Sequence, residues 1–243
     1  VQGGAEILDV NVGHPEIDEK KMMVRVLKAI QSVCDVPLQI DSTKPEVIEA
    51  GLRYYNGKPI LNSVNGEEQS LATVLPLVKK YGASVVGLAL DENGIPKTAE
   101  GRFEIAKRIV ERAEAVGIDR KDVYIDCLTL TVSAEQAACR QTLEALHRVK
   151  TELGCKTCLG VSNISFGLPN RELVNRTFLT MAMEQGLDLP IINPNVESMT
   201  GAVRAFRVLN GIDKNSLEFI NAYNDAVPCL LYTSPSPRDM RRS

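Results

Sequence analysis

A chain of 243 residues with 44% apolar and 24% charged residues is large enough to bury one full core, and the composition is that of an ordinary globular domain. No apolar run approaches the roughly 20 residues needed to span a bilayer, and no charged-then-apolar signal opens the chain, so the expected compartment is the cytoplasm. A formal charge of −3, with Lys and Arg interleaved among acids on segments such as Arg102–Glu114, gives no electrostatic footprint for nucleic acid.

Along the chain, short apolar runs alternate with long amphipathic segments. The run Glu6–Val12 precedes a helical pattern over Lys20–Val33, Val36–Ile40 precedes Glu46–Tyr55, and Pro59–Val64 precedes Glu67–Tyr81. Ser84–Leu90 then leads into Ala99–Val116, Val123–Leu128 into Ser133–Leu153, Lys156–Val161 into Arg171–Gln185, and Leu189–Asn193 into Glu197–Leu209. Each run is apolar on both faces, as parallel strands covered by helices should be. Gly82, Gly117, Gly154 and Gly186 stand where helix C-terminal glycines belong.

This alternation predicts βα units around a parallel sheet. Seven repeats predict a (β/α)₈ or TIM barrel whose first strand, with part of its first helix, is missing ahead of Val1. A doubly wound open sheet is the competing arrangement, weakened because no G-x-G-x-x-G follows any run. The incomplete barrel is expected over residues 1–228. The segment Cys229–Ser243 has two Ser-Pro steps and no periodicity; it resembles a translated sequencing adapter and is expected to be a non-native read-through tail.

The polar residues gather at one end of the runs: Asp9-Val-Asn11, Asp41-Ser42, Asn62-Ser63, Asp91-Glu92, Asp126, Ser162-Asn163 and Asn193-Pro-Asn195. In a barrel these ends converge on the C-terminal face, where barrel active sites lie. Asp, Asn and Ser are also common helix caps and turn formers, so any single position has a plain alternative, and the set carries more weight than its members.

Asp and Asn without His, Cys or Glu companions make a poor transition-metal site, and no metal is expected. They suit a neutral heterocycle rich in donors. Adjacent N–H and NH₂ groups on a ring edge can both point at one carboxylate, and carboxamides serve mixed edges; a pterin or guanine-like ring has such an edge. His14 before Pro15 and His147 within a helical pattern are the only histidines, which disfavours serine-nucleophile chemistry. The six cysteines, including Cys155-Lys-Thr-Cys158, read as reduced core thiols rather than a disulfide framework or metal site.

Five segments, Ile7–Gly13, Leu38–Thr43, Ile60–Asn65, Tyr124–Leu128 and Leu159–Ser165, resemble in order the strand-end motifs of the pterin-binding barrels. Within that family they are most similar to the methyltetrahydrofolate-binding domain of cobalamin-dependent methionine synthase and to methyltetrahydrofolate:corrinoid methyltransferases. The resemblance covers residues 1 to about 210. It implies that Asp41, Asn62 and Asp126 hydrogen-bond the pterin and that Asn163 lies near N5. Asp9 and Asn11 match a motif on the same rim.

It further implies methyl transfer from 5-methyltetrahydrofolate to cob(I)alamin carried by a cobalamin-binding domain or corrinoid protein. Asn163 would donate a hydrogen bond to N5, and the proton would come from water or a network reaching Asp126. A homocysteine-binding domain is expected in the same parent chain if the parent is a methionine synthase, towards which Asn65-Gly-Glu-Glu tilts the resemblance. Dihydropteroate synthase is the rival, but its basic Ser-Arg-Lys and Arg-x-His motifs are replaced here by Ser162-Asn163-Ile164 and Asn193-Pro194-Asn195. A non-catalytic pterin-binding module is the alternative from another class.

Overall fold

The structure is a computed structural model that describes residues 1–224. The expected tail at 229–243 lies outside the described residues. All seven expected strands are present: β1 (Leu8–Asn11), β2 (Leu38–Asp41), β3 (Ile60–Asn65), β4 (Ser84–Leu88), β5 (Val123–Asp126), β6 (Lys156–Gly160) and β7 (Leu189–Ile191). They form one parallel sheet in the order β1 to β7.

Helices follow the strands: α1 (Glu19–Gln31), α2 (Pro45–Tyr54), α3 (Glu68–Tyr81), α4 (Ala99–Ala115), α5 (Ala138–Arg148), α6 (Arg171–Glu184) and α7 (Glu197–Leu209). This is the (β/α)₈ barrel architecture with seven strands. β1 and β7 are its edges, and among the described residues no ladder joins them. The chain divides into two compact units, the second beginning at Gly201. That second unit contains a short helix the sequence did not announce, α8 (Leu217–Tyr223), capped by Asp213, whose two carboxylate oxygens accept from Glu218 and Phe219 N–H at 3.1 and 2.9 Å.

Side chains alternate across each strand, so the register fixes two apolar layers. One packs the sheet against helices: an added Cβ at Gly51 of α2 would stand 3.2–3.3 Å from Leu27, Met23 and Ile40, and Leu38, Ile40, Leu61, Val85 and Ile125 are fully buried. The other fills the barrel interior with Ile60, Val86 and Cys158, joined by Ile7, Leu88, Tyr124, Leu189 and Ile191. Above that plug the inward-facing positions turn polar.

Local chemistry explains the element boundaries. Asp18 caps α1 by accepting from Lys21 N–H at 3.1 Å, and Thr98 caps α4 by accepting from Gly101 N–H at 3.2 Å. Gly82, Gly117, Gly154 and Gly186 all have positive φ where the helices stop.

The expected helix Ser133–Leu153 is shorter at its start, beginning at Ala138. The Thr131 and Ser133 hydroxyls instead donate to the Phe166 carbonyl, both at 2.7 Å, and Val132 N–H donates to Ile164 O at 3.1 Å. These bonds fasten the loop after β5 to the turn after β6, and they outcompete one further helical turn.

Candidate functional site

The register sets Asn11, Asp41 and Asn62 side by side on adjacent strands. Their side chains share the inner face with Asp9 and Gln39, one rung deeper. Asn11 Nδ2 donates to Asp41 Oδ2 at 2.9 Å, while its Oδ1 accepts from Gly13 N–H at 2.8 Å. Gln39, only 1% exposed, donates from Nε2 to Asp9 Oδ1 at 2.7 Å. The sequence reading missed Gln39, although its i, i+2 spacing from Asp41 on a strand was the available signal.

Burial is the main influence on both carboxylates and pushes their pKa values above the ordinary range. For Asp9 the neighbouring Asp41 adds to the rise while Gln39 and Asn62 oppose it; for Asp41 the opposing bond is Asn11's. Asp9 and Gln39 also line a cavity of about 250 Å³ at the β1–β7 edge, bounded by Ile7, Leu189 and Ile191.

Asp126 ends β5 opposite Leu88 and Cys158. It is buried, and its Oδ1 accepts from Leu128 N–H at 2.7 Å. Desolvation raises its pKa to about 6, against the Leu128 and Gly160 N–H groups and the charge of Arg102. The Cys158 thiol is pushed up by burial and by the charges of Asp126 and Asp9, so it lies electrostatically between the two sides of the polar layer.

Asn163 sits on a 3-10 turn, Val161–Ser165, directly after β6. Its side chain is exposed, and its Nδ2 lies 3.2 Å from where a Cβ on Gly160 would stand. A residue larger than glycine at 160 would therefore displace the carboxamide. The turn is braced by Arg171, which donates to Ser165 Oγ at 3.0 Å and Ser162 O at 2.9 Å and lies over the Phe166 ring.

Other polar strand ends do only local work. Asp91 binds Arg108 and the Asn93 N–H, Glu92 accepts from the Glu68 N–H, and Asn193 accepts from the Asn195 N–H. At these positions the turn-and-cap alternative is what the structure contains. His14 accepts from its own loop at Glu16 N–H. Cys34, Cys127, Cys139, Cys155 and Cys158 are free thiols. Among the described residues no group of three or more His, Cys, Asp or Glu gathers as a metal site, and no helix is long and apolar enough to cross a membrane.

An inward polar layer of carboxylates and carboxamides on the C-terminal face of a parallel barrel has the chemistry to meet a donor-rich heterocycle, and the family is shown by comparison with known proteins. Residues 1–193 match the model of the pterin binding enzyme family, and the chain belongs to that family. It is 30% identical over 228 residues to the Eubacterium limosum methylcorrinoid:tetrahydrofolate methyltransferase, covering 91% of this chain and 83% of that protein.

It is also 35% identical over 205 residues to the methionine synthase of Mycobacterium leprae, covering 79% of this chain but 17% of that protein; it thus spans about a sixth of that relative. A solved Yersinia pestis dihydropteroate synthase in complex with a sulfonamide drug superposes with a TM-score of 0.70 at 16% identity, covering 87% of this chain and 82% of that one. At that identity the likeness speaks to fold. The resemblance and the barrel read from the sequence are both borne out.

Proposed function

We propose that the chain binds 5-methyltetrahydrofolate and passes its N5 methyl group to cob(I)alamin held by a cobalamin-binding domain or corrinoid protein, as a part of methionine synthase. The observation that carries this is a buried carboxylate, Asp126, at the end of β5, with the Asn163 carboxamide on the turn after the adjoining strand β6, in the same sheet as the Asn11, Asp41 and Asn62 row. As a carboxylate Asp126 offers acceptors to the adjacent N–H and NH₂ of a pterin edge. Asp41 and Asn62 supply further acceptors and a donor, and Asp9 and Asn11 support that row.

A methyl group on a tertiary amine departs only if N5 gains a proton or a strong hydrogen bond. Asn163, exposed on its turn, can donate that bond as the carbon–nitrogen bond breaks, with the proton arriving from water at the open rim or through the network reaching Asp126. Cobalamin supplies the nucleophile that takes the methyl group; the chain's task is to orient the pterin and leave N5 accessible. The Eubacterium limosum relative is named for transfer from a methylcorrinoid to tetrahydrofolate, and the same arrangement of donors serves either direction.

Dihydropteroate synthase is less well supported. The cation beside the turn after β6, Arg171, is engaged by Ser162 and Ser165, and Asn163 and Asn193 occupy positions where that activity uses basic residues. A non-catalytic pterin module would bind equally well and fail only at transfer.

Calorimetry of 5-methyltetrahydrofolate binding across pH, followed by stopped-flow methyl transfer to free cob(I)alamin, separates these readings. Affinity is expected to fall below about pH 6 as Asp126 takes up a proton. Binding without transfer would favour the module; formation of dihydropteroate from p-aminobenzoate would favour the synthase. No pterin binding at any pH would refute all three.

A further inference from the structure

Arg102 is a cation of α4 that faces the protein interior. It is 1% exposed, among apolar neighbours on its helix such as Phe103, Ala106 and Ile109. Burying a guanidinium costs several kcal/mol unless its donors are met. Here Nη1 donates to Cys127 O at 3.1 Å, Leu128 O at 3.0 Å and Thr142 Oγ1 at 2.7 Å, and Nε donates to Pro96 O at 2.9 Å. Nη2 is buried without an acceptor among the described residues. A buried charge with an orphan donor is a poor device for stability and an effective one for fixing geometry.

The two carbonyls it grips belong to the residues that follow Asp126. Leu128 has φ of 62°, a left-handed conformation that a leucine adopts only under constraint. The Cys127 carbonyl and the Leu128 N–H lie in one planar peptide and point in opposite directions, so the grip on Cys127 O also fixes the amide that donates to Asp126 Oδ1.

We propose that Arg102 is a positioning residue for pterin recognition: by clamping the Cys127 and Leu128 carbonyls it fixes the peptide plane whose N–H points at Asp126 and holds Leu128 in the left-handed conformation that follows it. This inference rests on the assignment of Asp126 to the pterin site. Thr142 completes the clamp, since its hydroxyl accepts from Arg102 and lies 3.0 Å from Leu128 O.

The charged and titratable groups facing Asp126 are Arg102 from α4, Cys127 beside it and Cys158 from β6, with both thiols held neutral by burial. Against the desolvation that raises the Asp126 pKa, Arg102 and the two amides are therefore the groups that favour its ionised form.

The test is Arg102→Lys in the full chain, which retains the charge but cannot reach all the acceptors from one nitrogen. Carboxyl-carbon NMR would follow the titration of Asp126 without pterin, and calorimetry would measure 5-methyltetrahydrofolate binding. The Asp126 midpoint is expected to rise by roughly half to one pH unit, because the charge remains while the amide is lost, and affinity at pH 7 to fall about tenfold. Adding Leu128→Gly removes the cost of positive φ and is expected to restore both readouts, which a packing role for Arg102 would not permit.

An unchanged Asp126 midpoint in a folded Arg102→Lys protein, or no restoration by Leu128→Gly, overturns the inference. If Arg102→Lys does not fold, Thr142→Val tests the same clamp, with a smaller shift in the same direction expected and no shift overturning it. If the parent protein fails to bind the pterin, the functional reading falls while the NMR titration still decides the role of Arg102.

Discussion

Asn11 Nδ2 donates to Asp41 Oδ2 across 2.9 Å, joining the last residues of two adjacent strands that the sheet register already places opposite each other. The bond favours the ionised form of Asp41 against the desolvation that raises its pKa, and it leaves the other carboxylate oxygen open to a ligand.

Asn11→Ala should therefore raise the Asp41 pKa further and weaken 5-methyltetrahydrofolate binding by on the order of 1 kcal/mol, with little loss of stability because the Asn11 side is exposed. Calorimetry at pH 7 beside a thermal melt would measure both. A large fall in melting temperature with unchanged affinity would show that the pair holds the strand edge rather than the ligand.

Asp126 gives a pH prediction whose sign is opposite to that of a salt-bridged carboxylate. Its folded pKa of about 6 stands above the ordinary carboxylate value of 3.8, so its contribution to stability is complete below about 3.8 and is lost as pH rises through 6. The loss amounts to about 3 kcal/mol. Because Asp126→Asn does not titrate, its unfolding free energy should gain on that of the parent by about that amount between pH 4 and pH 7.5. The same variant should bind pterin about 1–3 kcal/mol more weakly at pH 7, since one acceptor becomes a donor facing donors. Denaturant unfolding over a pH series would follow the first effect, where a flat difference between the two proteins would exclude a buried ionisable carboxylate. Unchanged affinity would remove Asp126 from the site.

Leu61 is fully buried between sheet and helices, next to Ile40 and Val85 in the register. Leu61→Ala should cost about 2–5 kcal/mol while leaving pterin affinity in the surviving folded fraction close to the parent value, because the neighbouring Asn62 points to the opposite face. A loss of affinity larger than the loss of folded protein would mean that the outer layer sets the geometry of the inner one.

The barrel was legible because each parallel strand writes a short doubly buried run and each helix a 3.6-residue period, and neither depends on distant partners. That Asn11, Asp41 and Asn62 would stand side by side was legible because each ends a strand run, and parallel register brings such ends together. The same rule pointed to Asp91 and Asn193, whose local bonds to Arg108, Asn93 and Asn195 cannot be told from a ligand site without the backbone course. Arg102 was hidden for the converse reason: on a helix rich in charges an arginine looks solvated, and only packing reveals that this one turns inward to carbonyls 25 and 26 residues away. The stretch from Ser133 to Ala137 was read as helix because the competing partner of Ser133, the Phe166 carbonyl, lies more than thirty residues on.

Asn163 provides the test of mechanism. Its carboxamide is exposed on the turn after β6, close against Gly160, whose own N–H is directed at Asp126; a ligand edge held by Asp126 would thus lie beside it. If its hydrogen bond to N5 strengthens as the methyl group leaves, Asn163→Ala should lower the single-turnover transfer rate by roughly 10²–10³-fold, the effect of removing one preorganised donor. Ground-state affinity for 5-methyltetrahydrofolate should fall much less, since the bond forms mainly in the transition state. If the side chain merely supports its turn, stability should drop by about 1 kcal/mol and the rate at full folding should stay near that of the parent. Stopped-flow transfer to cob(I)alamin, combined with equilibrium binding and thermal unfolding of the same variant, separates these outcomes. A variant that is less stable yet transfers methyl at the parent rate would remove Asn163 from the chemistry and leave the barrel as a pterin-holding module.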